Sequence, residues 1–445
     1  MKTHYELIVV GAGAGGLNAS LEAAGLGKDV LVIEKFRPGG ECTWSGCIPS
    51  KALIQIADAY HHAAQFGVGP VDGRAVMEKV RALTLTAHQA EAVEVLESAG
   101  ISYLNGEARF VDAHTVEVEG QRLSADRFVV ATGSQPAVPP IPGLLEVAPL
   151  TNQSVFTMDE LPGSLIVLGA GAIGVELSQA FSRLGVKVSL VEMAERILPR
   201  EEPELSGILA ETLAFEGVDV RTSTTAISAS RCESKTHLTV THEGEEKTLS
   251  ASRILVALGR KADTEDLGLD AAGVEVVRGT VRTNEHMQTS TSHIYAAGDI
   301  VGPYQFSHMG GRQGRVAVRH MFNQPGDTMT NEYAWCTFTH PELARTGMLE
   351  DEARARYGEN VRVWESNYSD ADRAVVDEHT TGKIIVITDA EDQILGASIL
   401  GERACELLGE IQTLKQSRLP VTTIRELVHP YPGYGEALTA LSKRE

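Results

Sequence analysis

A glycine-rich turn occurs twice in this sequence, at residues 11–16 and again at residues 169–174. Each copy follows a short apolar run and precedes a run with helical periodicity, which predicts a strand, a turn and a helix. In such a turn the first glycine makes the tight bend, the second lets the backbone approach a pyrophosphate, and the third lets the helix pack closely on the strand. The glycines in these roles are Gly11, Gly13 and Gly16 in one copy and Gly169, Gly171 and Gly174 in the other. The repeat predicts an α/β fold with two Rossmann-like dinucleotide-binding units.

An acidic residue follows each turn at the same distance. Glu34 lies 23 residues after Gly11, and Glu192 lies 23 residues after Gly169. Both end apolar strand patterns, where a carboxylate accepts a hydrogen bond from a ribose hydroxyl. Glu192 favours NAD, because a carboxylate repels the 2′-phosphate of NADP. Arg196 keeps NADP open as the less favoured alternative.

The rest of the chain shows connectors and a further alternating segment. Four prolines within residues 135–143 predict a linker, because proline does not fit inside a helix or a central strand. A turn-rich stretch at 258–263 closes the second unit, and a strand pattern at 293–297 leads to Gly298 and Asp299. A loop near 323–327 precedes the last segment. That segment alternates strand and helix patterns, with strands at 383–388 and 395–400 and a helix at 405–416.

Composition excludes several classes of partner. The chain has 445 residues, 39 of them Lys or Arg and 60 Asp or Glu, and its net charge is −21. This acidic balance argues against nucleic acid and anionic membrane surfaces as partners. No apolar run approaches the ~20 residues of a membrane span, and no signal-peptide pattern precedes the first strand. We therefore expect a cytoplasmic protein of about three domains.

Cys42 and Cys47 lie just beyond the first unit. In an ideal helix their Cα atoms would be ~8.7 Å apart, which exceeds the ~7 Å limit for a disulfide. A disulfide therefore needs an irregular turn at Cys42. Cys47 is expected near a helix start, where backbone N–H groups and Lys51 favour a thiolate. The alternative is two unrelated small buried residues, but the position next to a dinucleotide site favours a redox pair. Glycines supply the freedom for the turn at positions 39, 40 and 46.

The other three cysteines are widely separated in sequence. We interpret Cys232, Cys336 and Cys405 as small packed residues. Five cysteines are too few for a disulfide scaffold, and no spacing of Cys and His matches a zinc motif. We therefore predict no metal site.

Taken together, these motifs resemble the FAD-dependent pyridine nucleotide–disulfide oxidoreductases, among them dihydrolipoamide dehydrogenase, glutathione reductase and mercuric ion reductase. The resemblance covers essentially the whole chain and includes Ala131-Thr132-Gly133, Gly259-Arg260 and Ala296-Ala-Gly-Asp299. It implies an FAD-binding domain, an NAD-binding domain, a C-terminal α+β dimerisation domain and a homodimer. The implied boundaries are 1–148 and 265–330 for the FAD-binding domain, 149–264 for the NAD-binding domain and 331–445 for the dimerisation domain.

The resemblance also implies roles for individual residues. Cys42 would be the interchange thiol that meets the substrate, and Cys47 the charge-transfer thiol that faces the flavin. Lys51 would pair with Glu176 near the flavin N5, and Asp299 would bind the ribityl chain. The implied cofactor contacts further include Gly40, Lys51, Thr132, Gly133, Gly259, His308 and Met309. The aromatic gate of glutathione reductase would fall at Ala172, which cannot act as a gate.

The C-terminal pattern departs from that of the disulfide-reducing members. Those members carry a His followed five residues later by a Glu, contributed by the other subunit. Here Glu436 matches the Glu, Tyr431 stands at the His position, and His429 lies two residues earlier. A phenol with a pKa of ~10 is a poor base at neutral pH. Tyr431 could donate a hydrogen bond, His429 could serve as the acid–base group, or both could be ordinary packed residues.

Three functions remain open from the sequence. The first is an NADH-dependent disulfide (dithiol) oxidoreductase that acts on a small or lipoyl-type disulfide. The second is a reductase of a soft metal ion or a quinone. Mercuric ion reductase also places a Tyr at this position, although its C-terminal cysteine pair is missing from residues 441–445. The third is an electron-transfer subunit that acts on a protein partner.

Overall fold

The structure is a computed structural model that describes residues 2–233, 235–325, 328–329 and 333–444. Three layered regions follow one another along the chain. Among the described residues, no helix is both long enough and apolar enough to cross a bilayer.

The first region is built on a seven-stranded sheet in the order β3-β2-β1-β6-β5-β4, with β18 added beside β6. Strands β1, β2, β3, β6 and β18 run parallel, while β4, β5 and β6 form an antiparallel meander. The central strands are buried on both faces because their sequences are continuously apolar. The strands are β1 (His4–Val10), β2 (Val30–Glu34), β3 (Ile101–Asn105), β4 (Ala108–Asp112), β5 (Thr115–Val118), β6 (Gln121–Val130) and β18 (Ile294–Ala296), and the helices are α1 (Ala14–Gly25), α2 (Gly40–Ser45), α3 (Cys47–Ala64), α4 (Gly73–His88) and α5 (Val93–Ser98).

The second region repeats the arrangement of strand, glycine turn, helix and strand. Its parallel sheet has the order β10-β9-β8-β14, and a three-stranded antiparallel sheet of β11, β12 and β13 follows β10. The repeated parallel units confirm the predicted pair of Rossmann-like units. The elements are α6 (Asn152–Val155), β8 (Ser164–Leu168), α7 (Ala172–Arg183), β9 (Lys187–Val191), α8 (Pro203–Phe215), β10 (Asp219–Arg221), β11 (Thr224–Cys232), β12 (Lys235–His242), β13 (Glu245–Ala251) and β14 (Arg253–Val256).

The two connectors between these regions pair with each other. Strand β7 (Ser134–Pro136) runs antiparallel to β15 (Arg260–Ala262). The sequence predicted only a linker and a turn here, and this was wrong for these six residues because their pairing depends on two chain crossings that meet in space. Pro136 is tolerated because β7 is an edge strand. The chain then returns to the first sheet through β16 (Val276–Val277), β17 (Thr280–Val281), β18 and α9 (Ser307–Met321).

The third region is an antiparallel six-stranded sheet in the order β19-β20-β23-β22-β21-β24. The predicted strands at 383–388 and 395–400 and the predicted helix at 405–416 are present as β22, β23 and α12. Helix α12 packs across β19, β20 and β23. The elements are β19 (Ala334–Thr337), β20 (Glu342–Gly347), α10 (Glu350–Tyr357), β21 (Arg362–Asn367), α11 (Asp372–Val376), β22 (Lys383–Thr388), β23 (Ile394–Gly401), α12 (Ala404–Gln416), α13 (Glu436–Thr439) and β24 (Ser442–Lys443).

One hydrophobic core joins the cysteine-bearing helix α3 to the other two regions. Leu53 of α3, Phe181 of α7 and Ile385 of β22 are all buried in it. Helix α3 is therefore held between the second region and the C-terminal sheet. This packing brings residues from all three regions to the start of α3.

Candidate active site

In the first glycine turn, the outer glycines are required by packing and the middle glycine leaves an open space. Gly11 has φ of +100°, and a Cβ on Gly16 would collide with the Gly11 carbonyl oxygen. A Cβ on Gly13 would meet nothing closer than 3.9 Å. The protein's own packing therefore requires the outer glycines, whereas the middle glycine leaves room in front of helix α1. The second turn repeats this pattern at Gly169, Gly174 and Gly171, in the same order of roles.

The open space fits a pyrophosphate. Gly13 and Gly171 are the N-cap residues of helices α1 and α7, and neither helix has a side chain that caps its free N–H groups. Uncapped N–H groups and the helix dipole together attract an anion. The residues present therefore fit one dinucleotide at each turn.

The two acids hold the turns in the same way. One oxygen of Glu34 accepts a hydrogen bond from the Ala12 N–H, and one oxygen of Glu192 accepts from the Ala170 N–H, each at 2.7 Å. The other oxygen of each accepts from the N–H two residues further along the chain, at 2.8 and 2.9 Å. Each carboxylate thus lies against its turn, where the ribose of a bound dinucleotide would approach.

The cysteine pair lies on two consecutive helices, the short α2 and the longer α3. Cys42 lies inside α2, Gly46 ends that helix, and α3 begins at Cys47, so Cys47 is at a helix start as expected. The irregular turn is at Gly46 and not at Cys42. At this turn the backbone lies so close to the Glu41 carbonyl oxygen that a Cβ on Gly46 would come within 2.9 Å of it. This break brings the two free thiols within hydrogen-bonding reach. Gly40 lets α2 approach the first turn, since a Cβ there would meet the Gly13 Cα at 2.6 Å.

The two thiols differ in acidity. The pKa of Cys47 is lowered to about 6, chiefly because the Cys42 thiol donates a hydrogen bond to it, with further help from Ser307 and Lys51 against the effect of burial. The pKa of Cys42 is raised by that same hydrogen bond and by burial. The reduced pair therefore carries a thiolate at Cys47 and a thiol at Cys42. The Ser307 hydroxyl lies 3.5 Å from the Cys47 sulfur, a contact that sequence reasoning missed.

An ion pair lies beside the cysteines. The Lys51 ammonium donates to Glu176 Oε2 at 2.8 Å, and Glu176 is buried in α7. Glu176 Oε1 also accepts from the Phe338 N–H at 2.8 Å, and the Lys51 nitrogen lies 4.5 Å from the centre of the Phe338 ring. Sequence reasoning found the two charged residues but missed Phe338, for which the sequence offers no local signal.

Asp299 lies in a charged cluster. It accepts from the Ser134 hydroxyl at 2.5 Å and lies 3.3 Å from Arg260 Nε. Arg260 also pairs with Glu41 of α2. Burial lowers the pKa of Arg260, and Asp299 opposes that effect. Ser134 and Glu41 were not anticipated, because their roles depend on the pairing of the two connectors.

Three further motif residues shape the connectors around this cluster. The Thr132 hydroxyl donates to the Asp263 carbonyl oxygen at 2.8 Å. Gly133 and Gly259 both have positive φ, +77° and +114°, a conformation that favours glycine. These residues hold the crossing between the two regions in place.

His308 and Met309 lie at the start of α9. The His308 Nε2–H donates to the Ala334 carbonyl oxygen at 2.9 Å, and burial lowers the pKa of this histidine. Met309 is buried. This hydrogen bond ties α9 to the first residue of β19 and therefore links the first region to the C-terminal sheet.

Tyr431, His429 and Glu436 each have a hydrogen-bond partner in the C-terminal region. The Tyr431 hydroxyl donates a hydrogen bond to Asp372 at 2.9 Å, and this contact raises the pKa of Tyr431. The residue is 73% exposed. Glu436 accepts from the Gly433 N–H at 2.7 Å and bonds the backbone instead of Tyr431. His429 Nε2 lies 3.1 Å from both carboxylate oxygens of Glu410, a partner that sequence reasoning missed. The chain thus brings Cys42, Cys47, Lys51 and Glu176 together, and gives Tyr431, His429 and Glu436 separate contacts in the C-terminal region.

The interpretation of the remaining cysteines was wrong in part. Cys232 is exposed at the end of β11. Cys336 and Cys405 are half-buried and within hydrogen-bonding reach of each other. Among the described residues, no group of three or more His, Cys, Asp and Glu side chains is arranged to hold a metal ion.

Known proteins are similar to this chain in both sequence and fold. The chain matches the family described as pyridine nucleotide-disulphide oxidoreductase over residues 5–320, and the dimerisation domain of that family over residues 333–442. It is 34% identical to a dihydrolipoyl dehydrogenase of Thermus scotoductus, covering 100% of this chain and 98% of the relative. It is 31% identical to a mercuric reductase of Staphylococcus aureus, covering 98% and 81%. The solved structure of RclA from Escherichia coli, titled an HOCl-induced flavoprotein disulfide reductase, superimposes with a TM-score of 0.90 at 26% identity, covering 98% and 99%.

Proposed function

The chain belongs to the pyridine nucleotide-disulphide oxidoreductase family, and from that premise we propose that it passes electrons from NADH through FAD and Cys42/Cys47 to a small or lipoyl-type disulfide. Membership makes the chain an oxidoreductase that uses FAD and a nicotinamide dinucleotide. The substrate, the choice of NADH and the residue roles are parts of the proposal.

The asymmetry of the cysteine pair supports this proposal most strongly. Cys47, with a pKa of about 6, lies beside Lys51 and Ser307. Cys42 keeps its proton and donates it in a hydrogen bond to Cys47. A buried structural pair would not need one thiolate at neutral pH, whereas exchange chemistry does, since the thiolate is the reactive form.

The residues then have separate tasks. FAD held at the first glycine turn would supply the hydride and electron-transfer chemistry that connects the nicotinamide with the disulfide. In the reduced pair, Cys42 transfers its proton to the Cys47 thiolate and attacks one sulfur of the substrate disulfide. The attacked sulfur forms a mixed disulfide with Cys42, the substrate S–S bond breaks, and the other substrate sulfur leaves as a thiolate. That thiolate takes the proton from Cys47. Cys47 then attacks Cys42, releases the second substrate thiolate and closes the Cys42–Cys47 disulfide. Lys51, held by Glu176, supplies positive charge beside Cys47 throughout.

The proton path within the pair bears on the C-terminal departure. Tyr431 stands where related enzymes carry an imidazole, and its hydroxyl is engaged with Asp372. A Cys47 thiolate that accepts the Cys42 proton reduces the need for an imidazole in this step. The C-terminal segment of a second copy is the proposed source of further acid–base help, with His429 as the candidate in its contact with Glu410.

NADH is the proposed donor because of the acids at the end of β9. Glu192 and Glu195 both lie there, and the Arg196 guanidinium donates to the Pro199 carbonyl oxygen at 2.8 Å. A 2′-phosphate would meet negative charge at this edge. Rates with NADH and NADPH at equal concentration test this, and a preference for NADPH would contradict it.

The assembly and the domain boundaries complete the proposal. The match to the family's dimerisation domain supports a homodimer. The pairing of β18 with β6 supports 265–330 as a return to the FAD-binding domain. The proposed domains remain 1–148 with 265–330, 149–264 and 331–445. The cytoplasm is the proposed compartment, because thiols are kept reduced there.

NADH oxidation by the FAD-loaded protein without oxygen tests the disulfide reaction. We expect turnover with lipoamide or oxidised glutathione, loss of turnover in Cys42→Ser, and flavin reduction by NADH in both proteins. Tyr431→His is the matched variant, and a faster rate would show that an imidazole at this position assists exchange. Flavin bleaching by NADH with no reduction of any disulfide would contradict the proposal.

A soft metal ion is a second candidate substrate, favoured by Tyr431. Reduction of a metal held between two thiolates needs no imidazole, and the Staphylococcus aureus relative is named a mercuric reductase. Mercuric ion with excess thiol as the acceptor tests this version. It predicts NADH oxidation that Cys42→Ser abolishes and Tyr431→Phe slows, and activity retained in Cys42→Ser would exclude it.

A further inference from the structure

A second pair of thiols lies in the C-terminal region. Cys336 is in β19, and Cys405 is the second residue of α12. They are 69 positions apart in sequence, yet helix α12 packs against β19 and each thiol is the largest influence on the pKa of the other. Both are free and half-buried. The fifth cysteine, Cys232, lies exposed at the end of β11 in another region.

Backbone pairing holds the two positions together. Cys336 lies opposite Ala344 across the β19–β20 ladder. Strand β20 pairs in turn with β23, which leads directly into α12. The Cys405 N–H donates to Glu342 Oε2 at 3.0 Å, so the first turn of α12 is tied to β20. The contact between the thiols therefore follows from the sheet and the helix packed on it.

The two thiols are also unequal in acidity. The Cys336 thiol donates to the Thr337 carbonyl oxygen at 3.5 Å. The pKa of Cys405 is lowered, mainly by the neighbouring Cys336 thiol. The pKa of Cys336 is raised by the neighbouring Cys405 thiol and by burial. Cys405 is thus the more nucleophilic sulfur, and the neighbouring Cys336 stays protonated.

We propose that Cys336 and Cys405 form a second redox-active dithiol, which a small-molecule disulfide oxidises to an intramolecular disulfide that joins β19 to α12. A metal-ion site explains the pair less well, because no group of three or more His, Cys, Asp and Glu ligands is found among the described residues. This inference does not depend on the proposed substrate of Cys42 and Cys47.

The chemistry is thiol–disulfide exchange in two steps. The Cys405 thiolate attacks one sulfur of the oxidant, breaks the oxidant's S–S bond and releases one thiolate. Cys336 gives its proton to that thiolate and attacks the Cys405 sulfur of the mixed disulfide, which releases the second thiolate. Two cysteine thiols lose two electrons in total, and one oxidant disulfide gains them.

The pair is adjacent to the proposed active site but separate from it. Strand β19 ends at Thr337, and the next residue, Phe338, donates its N–H to Glu176. The disulfide would therefore tether the strand that leads into the Lys51–Glu176 contact. Cys42 and Cys47, by contrast, lie on α2 and α3.

Peptide mapping of the FAD-loaded, full-length protein tests the inference. The protein is reduced, freed of reductant, exposed to oxidised glutathione, blocked with iodoacetamide and digested with trypsin without reduction. Trypsin releases Cys336 in residues 320–345, Cys405 in residues 404–415, and Cys42 with Cys47 in residues 36–51. We expect a cross-linked species of 320–345 with 404–415, which disappears on addition of dithiothreitol.

Thiol counting after the same oxidation, in denaturant, gives a second readout. Two disulfides among the five cysteines leave one thiol per chain, whereas oxidation of Cys42/Cys47 alone leaves three. Cys405→Ser should lose the cross-link and leave two thiols, and the matched control Cys232→Ser should keep the cross-link and leave none. Three thiols in the wild-type protein, glutathione trapped on Cys405, or Cys405 linked to Cys232 would each overturn the proposal.

Discussion

The molecule contains two cysteine pairs that share one electrostatic pattern and differ in how they are assembled. In each pair the pKa of one thiol is raised and that of its neighbour is lowered, and the other thiol is the first cause of each shift. Cys42 and Cys47 are brought together by one glycine between the short helix α2 and the longer helix α3. Cys336 and Cys405 are brought together by three strands and a helix.

The difference teaches which features suit a pair to turnover. The first pair has a lysine, a buried glutamate and a serine around its thiolate, and it adjoins a glycine turn that fits a dinucleotide. The second pair is flanked by carboxylates. The charge of Glu342 opposes ionisation of both thiols, although the overall pKa of Cys405 is lowered. Positive charge favours a thiolate and negative charge opposes it. The first site is therefore suited to rapid exchange and the second to slower oxidation.

The sharpest test of this comparison is the loss of one thiol from each pair. Cys42→Ala should lower NADH-dependent disulfide reduction by about 10³-fold or more, because it removes the attacking nucleophile. Cys405→Ala should stay within about twofold of the wild-type rate, since substrate exchange does not pass through it. Steady-state rates of the FAD-loaded variants measure both, and equal losses would erase the distinction between the pairs.

Oxidation should stabilise the two sites unequally. A disulfide between Cys336 and Cys405 closes a loop of about 70 residues and should add about 4 kcal/mol to the free energy of unfolding, against about 2 kcal/mol for the short Cys42–Cys47 loop. Urea unfolding followed by tryptophan fluorescence reports mainly the C-terminal region, where Trp335 and Trp364 lie. The shift on oxidation should vanish in Cys405→Ala and persist in Cys232→Ser. A shift that survives in Cys405→Ala would assign the effect to another disulfide.

The acidity of the first pair gives a test in pH. Because the pKa of Cys47 is lowered to about 6, its thiolate is present above that pH and is lost as the pH falls through it. The rate of Cys47 alkylation in the reduced protein should therefore be half-maximal near pH 6. Cys42→Ala removes the hydrogen bond that contributes most and should move the midpoint to higher pH. Mass spectrometry of residues 36–51 follows the reaction, and an unchanged midpoint in Cys42→Ala would show that another group sets the acidity.

The smallest expected effect is that of the neighbouring lysine. Lys51→Met should also raise the alkylation midpoint of Cys47, but by less than Cys42→Ala, since Lys51 contributes less than the Cys42 hydrogen bond. The same variant should leave the alkylation profile of Cys405 unchanged, because Lys51 does not contribute to the acidity of that thiol. A parallel shift at Cys405 would indicate that the two sites are electrostatically coupled.

Much of the fold could be predicted because its signals are local. A Cβ on Gly16 would collide with the Gly11 carbonyl oxygen, and a Cβ on Gly174 with the Gly169 carbonyl oxygen, both only five residues earlier in the chain. The hydrophobic periodicity and the apolar runs likewise predicted β22, β23 and α12 close to their observed bounds. The pairing of β7 with β15 was missed, because its register depends on how two distant connectors cross.

In the candidate site, too, the residues with local signals could be predicted and the long-range contacts could not. The position of Cys42 and Cys47 beside the first dinucleotide unit predicted a redox pair, although the break that joins them lies at Gly46. The family resemblance suggested Lys51 with Glu176, and the structure adds Phe338 as a second partner of that carboxylate. Tyr431 and Glu436 match the positions of the family's His and Glu, and within the chain their hydrogen bonds go to Asp372 and to backbone N–H groups.

The sequence alone determined what depends on neighbours along the chain: two glycine turns with their acids, and a thiol pair five positions apart at a helix start. The tertiary structure decided what depends on strand order and helix packing. Lys51 meets Glu176 across 125 positions, and Cys336 meets Cys405 across 69. The physical reason is that a hydrogen bond acts over about 3 Å, and which distant residues come that close is set by how the sheets and helices pack together.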